Sequence, residues 1–545
     1  MSLNFLIFFS FYIIILLSIL GYGYFLISLE RNHKNFSNFG YVGILGIFFL
    51  IIYSYISNIF IAHSKFHNLI LIISGLISFS YFLKKNLKDP LFIKNLYLVI
   101  AVFLFLFISL LMQKNHDDFP YYHFAYTFQL TQDSLNFGIG KLNHGFRTPS
   151  SIFYLNSLFF LPFVEYYLFN FASIFILGFV NIIFLKRIFF IGNKEKKINF
   201  TNYLSLLSLI FINIFFYRLS EHGTDRSAQI LIFALFIHLL ENFQKRRFDR
   251  SDQLITYTIL GLIISLKSFY FLYLIFFIPF FIFVLEKENN FISAIKFIFY
   301  NKNFVYLFTS IFFVLFVNFT NTGCLLYPVV FTCFENFQWA LPLDNISKMN
   351  DWYELWSKAG ATPNLRVENP SIYITGFNWV DGWIDRYFFN KVSDFLIGLF
   401  LLVFIFFVIF YKFKRKIKKI DISKFVLFTY LILITILFEW FYNHPALRYG
   451  GYSVITLLIF IPFSFYLDEI NISFEKYSKI ALILVLISFS VFEIRNYTRI
   501  VNEINKYGYK PFNETFYSID KKYLKIQKKI ENLKNNDGPF SKTIF

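Results

Sequence analysis

Two adjacent carboxylates, Asp117 and Asp118, stand inside Lys114-Asn115-His116-Asp117-Asp118-Phe119-Pro120-Tyr121-Tyr122-His123, where a long apolar run ends. Like charges side by side repel, so the pair shares a proton or calls for a cation or metal beside it. A carboxylate in a half-dry site suits a general base; a solvated helix end is the plainer reading. His116 and the aromatic neighbours favour a pocket. A divalent metal could sit at Asp117 and Asp118, though no ligand spacing argues for one.

Further along, Gly138-Ile139-Gly140-Lys141-Leu142-Asn143-His144-Gly145-Phe146-Arg147 combines turn-forming glycines with three cationic or titratable side chains. Backbone amides, His144 and Arg147 could gather around an anion, or the segment is a structural turn. No strand signature precedes it, so it is not a dinucleotide fingerprint and no nucleotide cofactor is expected. Glu221-His222-Gly223-Thr224-Asp225-Arg226 packs four ionisable groups into one short turn. Such density marks either a site or an ordinary wet loop. Lys267 interrupts the apolar stretch 255–285. A lone ammonium there either reaches the interface or faces a polar cavity, where a phosphate would suit it. Arg448, in Asn443-His444-Pro445-Ala446-Leu447-Arg448-Tyr449, is a second such cation. The two cysteines, Cys324 and Cys333, share one loop, and an oxidising compartment would favour their disulfide.

These groups need a frame, and composition supplies it. Of 545 residues, 57% are hydrophobic and 15% charged; a soluble domain carries roughly 25% charged residues. The apolar residues fall in blocks long enough to cross a bilayer. The fold expected is an all-α polytopic membrane protein of about 14 transmembrane helices, within a range of about 12–14. The expected spans are 4–28, 40–62, 67–83, 95–113, 169–186, 203–217, 227–241, 254–266, 268–285, 303–320, 393–411, 424–440, 452–467 and 480–494. The stretch 255–285 reads either as two short helices or as one long tilted one. The first block is too long for a signal-peptide core and reads as a retained helix.

The net charge of +18 would suggest nucleic acid in a soluble protein. Here the positive-inside rule accounts for much of it, and no nucleic acid is expected. Lys and Arg concentrate in alternate short loops, such as 186–202 and 412–424, which places those in the cytoplasm and loops 114–168 and 321–392 outside. All six Trp fall on the outer side, as interface anchors or as flat walls for a sugar ring. The chain divides into amino-terminal helices 1–94, a core 95–495 and a basic tail 496–545. In the tail, Ile519 to Leu533 has the spacing of an amphipathic surface helix. The tail's side of the membrane is open.

An acidic pair after an early span, a long outside loop and a hydrophobic helical bundle resemble the GT-C superfamily of membrane glycosyltransferases. In fold those enzymes are like the dolichyl-phosphate-mannose:protein mannosyltransferases. Gly261-Leu262-Ile263-Ile264-Ser265-Leu266-Lys267 is similar to a Gly-and-Lys segment of bacterial members. Gly323-Cys324-Leu325-Leu326-Tyr327-Pro328, with Phe331-Thr332-Cys333-Phe334, resembles a bacterial branch related to them. Three extra amino-terminal spans and the lack of a clear soluble carboxy-terminal domain depart from the pattern.

The resemblance implies a bacterial inner-membrane enzyme with its active face periplasmic. Its partners would be the lipid bilayer, a polyprenyl-phosphate sugar donor and a glycan, lipid or protein acceptor. Asp117 or Asp118 would take the acceptor's proton. Lys267, Arg448, Arg147 and Arg226 would meet the departing phosphate, with His116, His144, Glu221, His222 and Asp225 around the substrate. Two other classes stay open: an O-antigen polymerase or ligase, and a transporter or flippase of lipid-linked glycans. The second would call for inverted repeats and broken helices at mid-membrane, and the sequence displays neither.

Overall fold

A computed structural model describes residues 3–29, 38–112, 118–190, 197–221, 223–362, 367–416 and 422–507. Among these residues every extended element is helical and the only β pairs are isolated bridges. The protein is therefore an all-α polytopic membrane protein. Among the described residues twelve helices are long and apolar enough to cross a membrane by themselves.

In chain order the long helices are α1 (Leu3–Ser28), α2 (Phe39–Phe60), α3 (Lys65–Asn86), α4 (Pro90–Leu106), α5 (Phe171–Ile188), α6 (Phe200–Phe215), α7 (Gly223–Lys245) and α8 (Arg250–Leu266). They are followed by α9 (Ser268–Glu288), α10 (Lys302–Thr322), α11 (Ser393–Tyr411), α12 (Lys424–Asn443), α13 (Gly451–Asp468) and α14 (Phe474–Tyr507). Two of these, α6 and α8, are short of a standard span, yet both run between the same two faces. Phe200 N–H at the start of α6 donates to Asp468 at the end of α13. Asn303 at the start of α10 donates to the Arg250 carbonyl at the start of α8. Short helices can cross here because both lie wholly inside the bundle and never meet lipid themselves.

The two faces differ in chemistry. One carries short turns with helix caps: reciprocal boxes at Asn199/Asn202 and Asp249/Asp252, and Asn caps at Asn290 and Asn301. Ion pairs Arg187–Glu241, Lys245–Glu241, Lys416–Asp468 and Lys424–Glu286 tie its helix ends together. Basic side chains in the last turns offset the helix dipoles. The other, the loop face, carries the long connections 118–170 and 323–392.

Inside the bundle the hydrophobic effect does not distinguish helix from lipid, so close packing and polar pairs hold helices together. Gly21 of α1 and Gly75 of α3 let backbones meet: a Cβ on Gly21 would lie 1.9 Å from the Gly75 carbonyl oxygen. Asn181 of α5 and Asn213 of α6 exchange two amide hydrogen bonds, 3.1 and 2.8 Å. α5 is buried along its spanning length, whereas α11 turns Ile397, Leu401 and Phe404 outward to lipid.

The stretch 255–285 is two elements. Lys267 is extended (φ −163°, ψ 137°) and separates α8 from a 3-10 segment, Ser268–Phe276, that opens α9. α14 runs from Phe474 to Tyr507, well beyond the expected span 480–494, so the expected tail begins inside a helix. The amphipathic stretch from Ile519 to Leu533 lies outside the described residues, and so do His116, Asp117 and His222.

Candidate functional site

The loop face gathers charge from four distant places in the chain. Asp225 sits in the first turn of α7, where the helix N-terminus favours an anion. Lys267 is delivered by the break between α8 and α9. Arg448 lies in the 3-10 turn Leu447–Tyr449 between α12 and α13, and Asp118 opens the π-helical segment Phe119–His123.

Their contacts form one chain. Lys267 Nζ donates to Asp225 Oδ1 at 2.8 Å. Arg448 Nε donates to Asp225 Oδ2 at 3.2 Å, and its Nη2 reaches Asp118 Oδ2 at 3.4 Å. Asp225 is buried, with 7% of its side chain exposed, while Asp118 keeps 30%. The inner carboxylate thus holds two cations, while the outer one is the more exposed of the two. Gln229, one turn along α7, fixes Arg448 by donating to its carbonyl at 2.9 Å and accepting from Ser453 N–H at 3.1 Å.

Aromatic rings wall the cluster. Lys267 Nζ lies 4.6 Å from the Tyr449 ring centre. The Arg448 guanidinium lies 5.4 Å from Trp356 and 5.5 Å from Tyr449. Burial alone would lower the Arg448 pKa; Tyr449, Asp225, Tyr122 and Asp118 more than offset this and hold it above its usual range. Burial, reinforced by Asp118, pushes the Tyr122 phenol well up. His444 borders the same space against Phe269 and Tyr449. Burial, with Lys358 and Lys267 nearby, lowers its pKa to about 4, so the imidazole is neutral near pH 7.

The remaining candidates divide. His144 lies beside Trp352 and Tyr353, and its Nε2 is 3.4 Å from the Tyr353 hydroxyl. Burial, then Arg147, lowers the His144 pKa. Arg147 does not join the ion chain: its Nε donates to the Gly140 carbonyl at 2.9 Å. The glycine loop docks on the end of α10, where Gly138 (φ +76°) donates from its N–H to the Thr320 carbonyl. Arg226 follows Asp225 by one residue but points to Phe216, 5.6 Å away, because neighbours on a helix diverge by about 100°. The side chain of Glu221 lies outside the described residues. Among the described residues no group of three His, Cys, Asp or Glu could hold a metal; of the pair expected beside a metal, Asp117 and Asp118, the first lies outside the described residues.

Cys324 and Cys333 are bonded and pair as an isolated bridge, and Cys324 packs with Leu341 and with Ile346 of the helix Leu343–Lys358. The six Trp play two roles. Trp339, Trp379, Trp383 and Trp440 donate their indole N–H to backbone carbonyls and brace loops. Only Trp352 and Trp356 flank the candidate site. Tyr122 is among the aromatic neighbours that favour a pocket, whereas sequence reasoning missed Gln229, Tyr449 and His444. The last two were flanked by the conspicuous Arg448, the one signal that could have drawn attention to them.

Residues 5–456 match the family described as Domain of unknown function (DUF8201), and the chain belongs to that family. No curated protein matches the chain, and no solved structure does.

Proposed function

We propose that this member of the DUF8201 family is a glycosyltransferase of the bacterial inner membrane, moving a sugar from a polyprenyl-phosphate carrier to an acceptor on the periplasmic side. One observation supports the reading above others: Asp118, Asp225, Lys267 and Arg448, from four separate segments, form one ion chain at the loop face. Charges at the edge of an apolar bundle are costly, and grouping them has to repay that cost.

In this reading Asp118 is the base. It takes the proton of an acceptor hydroxyl as that oxygen bonds to the sugar's anomeric carbon. The bond from that carbon to the phosphate oxygen breaks, and its electron pair leaves with the polyprenyl phosphate. Lys267 and Arg448 stabilise the anion as charge develops. Asp225 positions both cations, and Trp356 and Tyr449 offer flat faces to a sugar ring. The polyprenyl chain would lie along the lipid-facing helices, and the acceptor is a glycan, lipid or protein.

Purified protein incubated with polyprenyl-phosphate sugars should release free polyprenyl phosphate and glycosylated acceptor. Asp118→Asn should lower the rate at least ~100-fold, the usual scale for a lost general base, with unchanged melting. Equal transfer by wild type and D118N would overturn the assignment. Movement of a lipid-linked glycan across vesicles without transfer would favour a flippase instead.

A further inference from the structure

Just beyond α10 the chain turns back on itself and holds out a phenylalanine, Phe331, with 90% of its surface exposed. α10 has 21 residues, roughly 31 Å at the rise of an α-helix, which matches the ~30 Å hydrocarbon core of a bilayer. The chain therefore leaves α10 at the level of the bilayer boundary. From Asn303 to Phe334 it holds no charged residue, so the apolar run continues past the end of the helix.

Apolar surface is continuous across that junction. Phe308 and Phe312 face outward on α10, Phe312 stacks on Phe316, and Phe319 follows about one turn later. Phe334 and Phe337, both exposed, pack on Phe319 with ring centres 6.1 and 5.3 Å away. Leu325, Val330 and Phe331 add further exposed apolar surface. The segment also bonds to itself. Leu325 N–H donates to the Thr332 carbonyl at 3.0 Å, and Phe334 N–H to the Gly323 carbonyl at 2.9 Å. Thr332 N–H donates to the Val329 carbonyl at 3.0 Å, and the Cys324–Cys333 bond closes the base. Backbone that meets lipid has to satisfy its polar groups internally, and this hairpin goes far towards doing so.

We propose that the hairpin 323–334, led by Phe331, inserts into the lipid leaflet at the loop face and anchors the loop that carries Trp356. An exposed apolar patch marks an interaction surface. Lipid is the partner because the patch joins the outward-facing stripe of α10 with no charge between them, at the depth where aromatic side chains favour the membrane interface. The buried side of the hairpin says what the anchor holds. Cys324 and Tyr327 cluster with Leu341 and Ile346, and Ile346 belongs to the helix Leu343–Lys358. Trp356 of that helix lies 5.4 Å from the Arg448 guanidinium. Lipid contact at Phe331 thereby sets the height of Trp356 over the membrane. The anchor does not depend on the transferase reading.

The test encodes the photocrosslinking amino acid p-benzoyl-phenylalanine in place of Phe331 in the full chain, which leaves the native cysteines bonded. The protein is placed in vesicles of dioleoyl phosphatidylcholine and dioleoyl phosphatidylglycerol and irradiated, and adducts are read by mass spectrometry. The same crosslinker in place of Phe312 marks the outward face of α10, and in place of Asp351, exposed on the helix Leu343–Lys358, it marks water. Lipid adducts at position 331 should approach those at 312 and far exceed those at 351. Phe331→Asp should leave melting in detergent unchanged, because the ring it removes is exposed. It should lower the lipid adducts of a crosslinker in place of Val330 about tenfold, the scale of half-burying one phenylalanine. The proposal fails if position 331 gives no more lipid adducts than 351, if its adducts join a second copy of the chain instead of lipid, or if F331D leaves the adducts at 330 unchanged.

Discussion

Asp225 and Asp118 carry the same charge, yet their removal should have different consequences. Asp225→Asn leaves Lys267 and Arg448 without their shared buried anion, which should cost about 3 kcal/mol. Asp118→Asn removes a half-exposed contact and should cost under about 1 kcal/mol. Melting of the two variants in detergent checks this, and equal losses would show that the two carboxylates are equivalent. His444 gives a pH signature. Its folded pKa is lowered to about 4, against about 6.5 unfolded. The unfolded chain therefore binds the extra proton between those values, and stability falls as pH drops through that window. His444→Asn should flatten the decline between about pH 6.5 and 4. Sequence made Asp225 and Arg226 equally conspicuous, because both sit in one dense turn. It could not show that Asp225 joins Arg448, more than 200 residues away, while Arg226 turns to Phe216, since that follows from helix geometry and tertiary packing.

Elements impose their own tests. Valine at Gly21 would drive a side chain into the α3 backbone, so Gly21→Val should destabilise the α1–α3 pair by at least about 2 kcal/mol. Protease sensitivity of the amino-terminal helices, compared with wild type, reads this out. The Cys324–Cys333 bond joins residues nine apart in sequence, for which loop closure predicts roughly 3 kcal/mol. Reductant should therefore lower the melting temperature of wild type and leave C324S/C333S unmoved. The break at Lys267 was legible as a charge in an apolar run, because an ammonium cannot rest in hydrocarbon. That it would be an extended residue dividing two helices was not, since a snorkelling lysine on a continuous helix satisfies the same constraint. The docking of the glycine loop onto α10 was equally hidden: Gly-x-Gly permits turns without naming what the turn packs on.

At the scale of the molecule, the helical frame was readable from apolar block lengths because a bilayer leaves few alternatives: each spanning segment must satisfy its own backbone hydrogen bonds. Burial inside the bundle is what sequence hides, and α6 and α8 show it, crossing at less than a standard length. The unequal distribution of Lys and Arg predicts the orientation, and labelling tests it. Phe163, 84% exposed on the loop face, and Tyr300, 81% exposed on the opposite face, are suitable reporters. The native cysteines are bonded to each other and leave no free thiol among the described residues, so single cysteines can be introduced without removing them. In oxidised spheroplasts, a membrane-impermeant maleimide should label Phe163→Cys directly, and Tyr300→Cys only after the membrane is opened. The reverse pattern would invert the protein and place Asp118 and Lys267 in the cytoplasm, where a periplasmic transfer could not occur. Labelling of both from one side would contradict the two-faced bundle itself, because the five helices α5 to α9 that separate Phe163 from Tyr300 in the chain would no longer carry it from one face to the other.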